Sequence, residues 1–383
     1  MTVMERPNLP GPETGDAHHL LALLPGMNPE HWQVVLDQLE DPTQLLAMAP
    51  DSLRALGLPP STRRTLNAWQ AQGLEPTTRQ RLDQARQQCV ALGIRVIHWR
   101  DPEYPEVLRH IHGPPPVLYC RGDINALNRP CLAMVGSRHA SRDGLNHARR
   151  FAQALAEGGF SVVSGLALGI DGAAHKGALE GGGATVGILA NGVDRPYPRR
   201  HEPLAHDMLQ AGGLLVSELP PGTPARSHLF PQRNRLISGL CRGVLVVEAG
   251  LRSGSLITAR LAMEQGREVF AIPGSIHQPS VRGCHRLIRE GAVLVETVED
   301  IVSELGVWES LPAGTGPQAD TTPAHLDESS RRVLEAVTYE PVDSDSLCRA
   351  TGMAAADLLQ AVLLLEMEGL VETTPGGYRR RSG

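Results

Sequence analysis

The stretch CLAMVGSRHASRDGLNHARRFAQALAEGGFSVVSG, residues 131–165, decides the predicted fold class of this chain. It begins and ends with short apolar runs, CLAMVG and FSVVSG, and the segment LNHARRFAQALAEG between them has apolar residues at helical spacing. Apolar strands joined by an amphipathic helix predict a parallel sheet that is covered on both faces. The same alternation recurs with RVIHW, ATVGIL, GLLVSE, GVLVVEA, EVFAI and AVLVE. Residues 85–306 are therefore predicted to form a Rossmann-like α/β domain, whose ligands bind where strands end and helices begin.

Three further regions are predicted around this domain. Residues 1–80 carry apolar residues at helical spacing between Pro and Gly, and the turn LGLPPSTRRTL resembles a helix–hairpin–helix or SAM-like module. Such a module contacts a DNA backbone or another protein, or only caps the next domain. Residues 307–325, rich in Pro, Gly and Thr, are predicted to be a flexible linker. Residues 326–383 predict three helices and a hairpin, which is the winged-helix pattern and binds either duplex DNA or protein.

The composition limits the possible partners and compartments. The 383 residues have a formal net charge of −6, so a polyanionic partner must be met by a local basic patch. Six scattered cysteines without a C-x-x-C pair predict reduced thiols and no zinc site. The N-terminal stretch lacks the apolar run of a signal peptide, and no stretch of about 18 apolar residues occurs. We therefore expect a cytoplasmic protein with no membrane segment, no metal and no cofactor.

Four segments place Gly, Ser and Arg beside predicted strand or helix ends: AMVGSRHAS, VVSGLALGIDGAAH, FPQRNRLISGL and VVEAGLRSGSLITA. Glycine lets the backbone approach an anion, serine donates a hydrogen bond, and arginine binds phosphate as a fork. Between residues 226 and 260 there are six arginines and one acid, Glu248, which predicts a phosphate-binding face in an otherwise acidic chain. The predicted DNA- or phosphate-binding residues are Gly136, Ser137, Arg138, Ser164, Gly165, Gly169, Arg226, Phe230, Arg233, Asn234, Arg235, Ser253, Gly254 and Ser255.

The segment FPQRNRLISGL adds two arginines and an amide where a helix is predicted to begin. A helix start already carries partial positive charge, so further cations there predict a bound anion. Arg233 and Arg235 are expected to face a polyanion, unless one of them is structural and pairs with Glu218 or Glu248. Phe230 is either a stacking surface for a base or a buried core aromatic.

Common nucleotide and catalytic motifs do not explain these loops. The chain has no G-x-x-x-x-G-K-[ST], and the glycines of GLALGIDG are spaced G-x-x-x-G-x-x-G rather than as a dinucleotide fingerprint. His175 and Asp171 lie one helical turn apart. They form either an acid–base pair or, in the interpretation we favour, a helix start in which Asp171 caps its own loop. No catalytic residue is predicted.

The motifs together resemble those of the DNA-processing protein A (DprA/Smf) family. The resemblance covers about residues 105–297, and the flanking modules resemble the layout of that family less specifically. His201 and His285 stand where asparagine is often found in the family. The matching stretches are MVGSRHAS, VVSGLALGIDGAAHKGAL, GILANGVDRPYP, SELPPGTPARSHLFPQRNRLISGL, VVEAGLRSGSLITARLAMEQGREVFAIPG and RGCHRLIREGA.

This resemblance implies an extended Rossmann fold that binds single-stranded DNA, dimerises, and loads the recombinase RecA on incoming DNA in natural transformation. It also implies that Arg138 and the FPQRNR residues lie where the family grips phosphates. A dimer is implied through the end of the α/β domain, where Leu287, Ile288, Val293 and Val295 occur close together. The alternative is that all four residues fill the core of one monomer.

A second function class is an enzyme. Nucleotide-cleaving Rossmann proteins of the lysine-decarboxylase-like (LOG) type share a related loop, P-G-G-x-G-T-x-x-E, with which LRSGSLIT aligns. Thr258 stands at the position of the catalytic glutamate, and without that carboxylate the hydrolysis of a glycosidic bond loses its acid/base group. The sequence therefore favours a non-enzymatic DNA-binding protein over a nucleotide-binding or nucleotide-hydrolysing enzyme.

Overall fold

The chain divides into two compact units, Met1–Thr315 and Gly316–Gly383. The larger unit combines the N-terminal helical region with the α/β region, and the smaller unit holds the C-terminal helices. The linker predicted at residues 307–325 lies outside the described residues. The structure is a computed structural model that describes residues 14–306, 326–338 and 341–380.

Five helices open the larger unit, and four of them have proline in the first turn, where a missing N–H leaves no helical hydrogen bond unmade. Thr62 Oγ1 donates to the carbonyl of Pro25 at 2.7 Å, which ties the loop after the first helix to the start of the fourth. Buried leucines of these helices share one apolar cluster with sheet residues such as Tyr119 and Leu215. The helices are α1 (Thr14–Leu23), α2 (Pro29–Gln38), α3 (Pro50–Ala55), α4 (Pro60–Gln70) and α5 (Pro76–Ala91).

The shared apolar cluster explains a difference from the predicted boundary. The sequence places the end of the helical module at residue 80 and the start of the α/β domain at residue 85, but α5 runs through both positions. Leu82, Ala85 and Cys89 of α5 are buried. The helical region therefore continues without a break into the α/β region.

A nine-stranded sheet forms the middle of the larger unit. The strand order is β1-β2-β6-β5-β4-β3-β7-β8-β9. The last seven strands in this spatial order are parallel to one another, whereas β2 pairs antiparallel with β1 and β6. The strands are β1 (Arg95–His98), β2 (Val117–Gly122), β3 (Cys131–Val135), β4 (Ser161–Ser164), β5 (Thr185–Ile188), β6 (Leu214–Ser217), β7 (Gly243–Val246), β8 (Glu268–Ala271) and β9 (Val293–Leu294).

Helices cover both faces of the sheet, as the apolar strands predict. In β3, Leu132 and Met134 pack in the cluster with α7, α8 and α13, whereas Ala133 and Val135 pack in the cluster with α10, α11 and α12. The helices are α6 (Glu106–Arg109), α7 (Arg142–Glu157), α8 (Ile170–Glu180), α9 (Glu202–Gln210), α10 (Leu229–Gly239), α11 (Ser255–Glu264), α12 (Arg282–Arg289) and α13 (Val298–Leu305).

Two elements differ from the sequence prediction. Strand β2 was not predicted, because its run VLYCRG directly follows three prolines, and proline is typical of loops and strand edges rather than of a strand inside a sheet. Helix α10 begins at Leu229, so the FPQRNR residues lie inside its first two turns and not before a helix.

The smaller unit has the predicted order of three helices followed by a hairpin. Asp327 and Asp343 cap the first two helices by accepting the backbone N–H of Ser330 and Ser346, at 2.7 and 2.9 Å. Leu334, Leu347 and other apolar side chains form a separate small core. The elements are α14 (Glu328–Ala336), α15 (Ser344–Thr351), α16 (Ala355–Met367), β10 (Val371–Thr374) and β11 (Gly377–Arg380).

Candidate nucleic-acid interface

A cleft lies where the strand order reverses. The chain proceeds from β3 to β6 on one side and then returns to β7 on the other side of β3, so the loops after β3 and β7 diverge. Ligands of open α/β sheets bind in the crevice at such a switch point. An open cleft of about 550 Å³ occupies this position, and all four predicted segments contribute to its lining. The predicted residues that line it are Gly136, Ser137, Arg138, Phe230, Arg233, Asn234, Ser253, Gly254 and Ser255.

The rim of the cleft, defined by Arg138, Phe230 and Tyr197, combines a cation with two aromatic rings. Arg138 is exposed, and its guanidinium carbon lies 5.5 Å from the centroid of the Phe230 ring, within cation–π distance. Phe230 is partly buried, and its ring centroid lies 5.8 Å from that of Tyr197, which is 50% exposed. The rim therefore offers a phosphate ligand beside aromatic surfaces that a base can reach.

The start of α11 forms another part of the lining of the cleft. The hydroxyl oxygens of Ser253 and Ser255 are 2.7 Å apart, Ser253 Oγ accepts the N–H of Ser255 at 3.4 Å, and the N-cap residue Gly254 has no side chain. A Cβ atom added at Gly254 would meet nothing within 4 Å, so the backbone is open to the cleft. Backbone N–H groups at a helix start attract anions.

The floor of the cleft, defined by Arg233 and Asp171, holds a second guanidinium that is turned toward protein. Arg233 is only 5% exposed, and its Nη1 donates to the carbonyls of Gly165, at 3.1 Å, and Ile188. A Cβ at Gly165 would come within 2.6 Å of Arg233 Nη2. Gly165 therefore makes room for this guanidinium rather than for a phosphate.

Asp171 ties down its own loop, as the sequence indicated. Its Oδ2 accepts the N–H groups of Gly165 and Ala167 at 3.1 and 3.3 Å, although the N-cap position belongs to Gly169. Burial raises the pKa of Asp171, and nearby Arg233 opposes that rise. Burial also lowers the pKa of Arg233 to about 10, which leaves it protonated at neutral pH.

Two predicted phosphate ligands do not face the cleft. Ser164 is fully buried at the end of β4, and its hydroxyl donates to the carbonyl of Met134 at 2.6 Å. Arg235 is buried and pairs with Glu218. Residues two apart on a helix point about 200° apart, so the side chain of Arg235 leaves α10 on the side opposite to that of Arg233. The structural alternative, pairing with Glu218, is therefore the correct one for Arg235.

Glu248, the other proposed partner, has a different role. Its carboxylate accepts the N–H and the hydroxyl of Ser141, the hydroxyl at 2.5 Å, and so fixes the start of α7. Its carbonyl accepts the N–H of Ser137 at 2.7 Å. Glu248 thereby holds the loop that carries Arg138 in place.

The remaining predicted residues lie around the cleft with different roles. Gly169 has a φ of +79°, and a Cβ there would come within 2.2 Å of the Ser137 carbonyl, so only glycine lets the two loops pack. Asn234 is partly buried and lines the cleft. Arg226 is exposed in the loop before α10 and is not among the lining residues.

The possible acid–base pair of His175 and Asp171 is not formed. His175 is fully buried, and its Nδ1 hydrogen-bonds to the Thr185 hydroxyl at 2.7 Å, whereas Asp171 accepts backbone N–H groups. Burial lowers the pKa of His175 to about 3, and His201 and Arg233 add to the effect. His175 is therefore a neutral structural side chain.

A basic loop beside the rim was not predicted from the sequence. Arg195, Arg199 and Arg200 are exposed on either side of Tyr197 in the segment DRPYPRRH. Arg195 lies 3.1 Å from Asp194, and Arg199 lies 3.8 Å from Glu202, so both have acidic neighbours. An aromatic residue interleaved with arginines was the signal that could have identified this loop from the sequence.

Comparison with known proteins decides the family. A family model described as DNA recombination-mediator protein A matches residues 95–306, more than half of the chain, and a DprA winged helix domain model matches residues 317–377. This chain belongs to the DNA recombination-mediator protein A family. The family resemblance and the fold class predicted from the sequence are confirmed.

Two named relatives align with more than half of this family member. Protein Smf of Escherichia coli (strain K12) is 42% identical over 279 residues, which are 72% of this chain and 75% of that protein. DNA processing protein DprA of Streptococcus pneumoniae is 46% identical over 204 residues, 53% of this chain and 72% of the relative.

Two solved structures of DNA processing protein A resemble the chain. The X-ray structure from Streptococcus pneumoniae has a TM-score of 0.65 and 36% identity, and it covers 76% of this chain and 97% of its own. The protein from Helicobacter pylori has a TM-score of 0.50 and 28% identity, with 55% and 95% coverage. That second structure is described as giving insights into a unique single-stranded DNA binding mode.

The predicted dimer residues of this family member fall into two groups. Leu287 and Val295 are buried on opposite faces of the sheet, in different apolar clusters, so they cannot present one surface. For these two residues the structure matches the alternative, packing in the core of one monomer, and the dimer stays a prediction. Ile288 and Val293 are partly buried and retain some exposed surface.

The described part of this family member has neither a candidate metal-binding cluster nor a single helix of membrane-spanning length and composition. No group of three or more His, Cys, Asp or Glu side chains there is arranged to hold a metal ion. No single helix in the same residues is long and apolar enough to cross a membrane. Among the described helices, only the pair of α15 and α16 reaches that length and composition, and the two are bent by 102°.

Proposed function

We propose that this protein binds single-stranded DNA in the cleft, protects incoming DNA, and loads the recombinase RecA on it in natural transformation. The observation that carries the proposal is the rim, where the exposed Arg138 lies over Phe230 at the mouth of the cleft. Among the described lining residues the only carboxylate is that of Asp171, which backbone N–H groups neutralise in part. The single-stranded DNA binding described for the Helicobacter pylori relative supports the same assignment.

The chemistry of the cleft favours a single strand over a duplex. Arg138 and the start of α11 contact phosphates, which carry no base information. Phe230 and Tyr197 offer aromatic faces, and only an unpaired base can leave its own stack to lie on them. Binding should therefore tolerate any sequence and prefer single strands.

The direct test compares a 30-nucleotide oligo-dT with a duplex of equal length by fluorescence anisotropy, at several salt concentrations. The single strand should bind more tightly, and the logarithm of its affinity should fall with the logarithm of salt by roughly 0.7 per neutralised phosphate. Tighter binding of the duplex, or affinity that salt does not change, would contradict the proposal.

We further infer that the site binds without hydrolysing. Thr258 lines the cleft where LOG-type enzymes have a catalytic glutamate, and Asp171 is buried and held by its own loop. Glycosidic hydrolysis canonically uses a pair of suitably placed carboxyl groups. Incubation with nucleoside monophosphates should release no free base, and its release would favour the enzyme alternative.

The same proposal includes a homodimer in the cytoplasm that contacts RecA. Ile288 is the predicted dimer residue on α12 that keeps exposed surface. Ile288→Glu should give a folded monomer by light scattering, because a charge cannot be buried in an apolar interface without a partner.

RecA loading is tested by the DNA-dependent ATPase of RecA on single strands covered by a single-strand-binding protein. The wild-type chain should shorten the lag before ATP hydrolysis.

A further inference from the structure

The third helix of the smaller unit exposes an unusual surface. Leu359, Leu363 and Met367 lie at positions i, i+4 and i+8 of α16 and are 53%, 58% and 78% exposed. Leu364 beside them is 41% exposed. Single exposed leucines are ordinary, but a contiguous apolar stripe along about 12 Å of one helix marks a binding surface.

Side chains that pack in the core do not account for this stripe. The inward face of α16 is formed by Leu358, Ala361, Val362 and Leu365, which are buried against α14, α15 and β10. The exposed residues lie on the outer side of the helix. The stripe is therefore additional to what the small core requires.

The charged residues of α16 itself are acidic. The thirteen residues of α16 contain no arginine, lysine or histidine, whereas Asp357 lies in its first turn and Glu366 near its end. Glu368 follows directly after the helix. A winged helix that reads duplex DNA places its recognition helix in the major groove between phosphates, where acids are repelled and basic or amide side chains are needed.

We propose that the exposed face of α16 docks a basic amphipathic helix of a partner protein. The partner's apolar side chains would cover Leu359, Leu363 and Met367, and its cations would lie near Asp357 and Glu366. Helices pack through such rows of side chains at i and i+4 spacing. A second copy of this chain fits poorly, because pairing α16 with itself sets acids against acids in either orientation.

The test uses the full chain and two synthetic 18-residue peptides. Both carry leucine at helical i, i+3, i+4 and i+7 positions, and they differ only in having lysine or glutamate at the flanking positions. Fluorescence anisotropy at physiological salt should show binding of the lysine peptide alone. Equal binding of the two peptides, or binding of neither, would overturn the proposal.

Substitutions then localise the contact. The double variant Leu359→Gln/Leu363→Gln should bind the lysine peptide with an affinity at least about tenfold lower than that of the wild type. Val90→Gln is the matched control, since Val90 is an 81% exposed apolar residue on α5, and it should bind as the wild type does. Unchanged peptide binding by the double variant would refute docking on α16. If a thermal melt shows that the double variant is unstable, Met367→Gln replaces it, with the same expected direction.

Two other outcomes assign the surface to a different occupant and so also overturn the proposal. One is a weaker affinity of the double variant for a 24-base-pair duplex, which would make α16 a DNA reader. The other is self-association of the wild-type chain in light scattering that the double variant loses.

Discussion

The rim and the floor of the cleft each contain an arginine, but the two arginines have different roles. At the rim, Arg138 is exposed and lies over Phe230. At the floor, Arg233 is buried, and Nη1 of its guanidinium is engaged by the carbonyls of Gly165 and Ile188. An exposed guanidinium is available to a phosphate and contributes little to folding, whereas a buried one holds loops together and is costly to remove.

The largest effect is expected at the floor. Arg233→Ala removes the buried cation near Asp171 and the hydrogen bonds that it donates to two carbonyls. Loss of one member of a buried polar network costs roughly 3–5 kcal/mol, so the free energy of unfolding of the larger unit should fall by about that amount. Urea denaturation followed by circular dichroism measures it.

A conservative variant separates charge from volume at the same position. Arg233→Lys keeps the cation but loses the planar guanidinium whose Nη1 donates to both carbonyls, so its destabilisation should be intermediate. If Arg233→Ala instead unfolds like the wild type and only binds DNA more weakly, Arg233 belongs with the rim and the comparison fails.

The next effect is expected at the rim. Arg138→Ala should weaken oligo-dT binding by roughly 1.5–3 kcal/mol, the range for a hydrogen bond to a charged group, and leave the melting temperature unchanged. The loss should be the same for mixed sequence, because the contact is to phosphate. Binding isotherms at several salt concentrations beside a thermal melt provide the measurement.

The chain offers a matched control for this prediction at the other end of β3. Arg129 is also exposed, but it precedes the amino end of β3, whereas Arg138 follows the carboxyl end. Arg129→Ala removes an equal charge and should leave affinity nearly unchanged. Equal losses from both variants would show that binding depends on general charge and not on the cleft.

The sequence predicts much of this site but not the division between rim and floor. The order of strands and helices, and the four loops at strand ends, follow from apolar periodicity and Gly, Ser and Arg spacing. The orientation of Arg233 and Arg235 depends on where α10 begins, and a start placed after them hides their separation of about 200°. The burial of Ser164 likewise cannot be predicted from the sequence, because it depends on the neighbouring strand that supplies the Met134 carbonyl.

A pH effect concerns His175, whose pKa is lowered by burial and further by His201 and by Arg233 of the floor. His175 has a folded-state pKa of about 3 against an ordinary 6.5, so the unfolded chain takes up a proton between these values and the folded chain does not. Its contribution to stability is therefore full above about pH 6.5 and decreases as the pH falls toward 3. At pH 5 the loss should be about 2 kcal/mol relative to pH 7.5.

Other groups titrate in the same range, so the informative quantity is a difference between two proteins. His175→Gln is neutral at every pH, and urea denaturation at pH 7.5 and pH 5 should show a smaller acid loss for it than for the wild type. An equal acid loss in both proteins would mean that His175 is protonated in the folded state or is reached by solvent.

The smallest effect concerns the residue at the rim that the sequence analysis missed. Tyr197 is half exposed and lies beside Phe230, so Tyr197→Ala should weaken oligo-dT binding by about 1 kcal/mol, the lower end of the range for one stacked base. Tyr197→Phe keeps the ring and should bind as the wild type does, because stacking needs the aromatic face and not the hydroxyl. If Tyr197→Phe loses as much affinity as Tyr197→Ala, the contact is a hydrogen bond from the hydroxyl. If neither variant changes the affinity while Arg138→Ala does, the DNA-binding rim ends at Phe230, and the basic loop around Tyr197 lies outside the path of the strand.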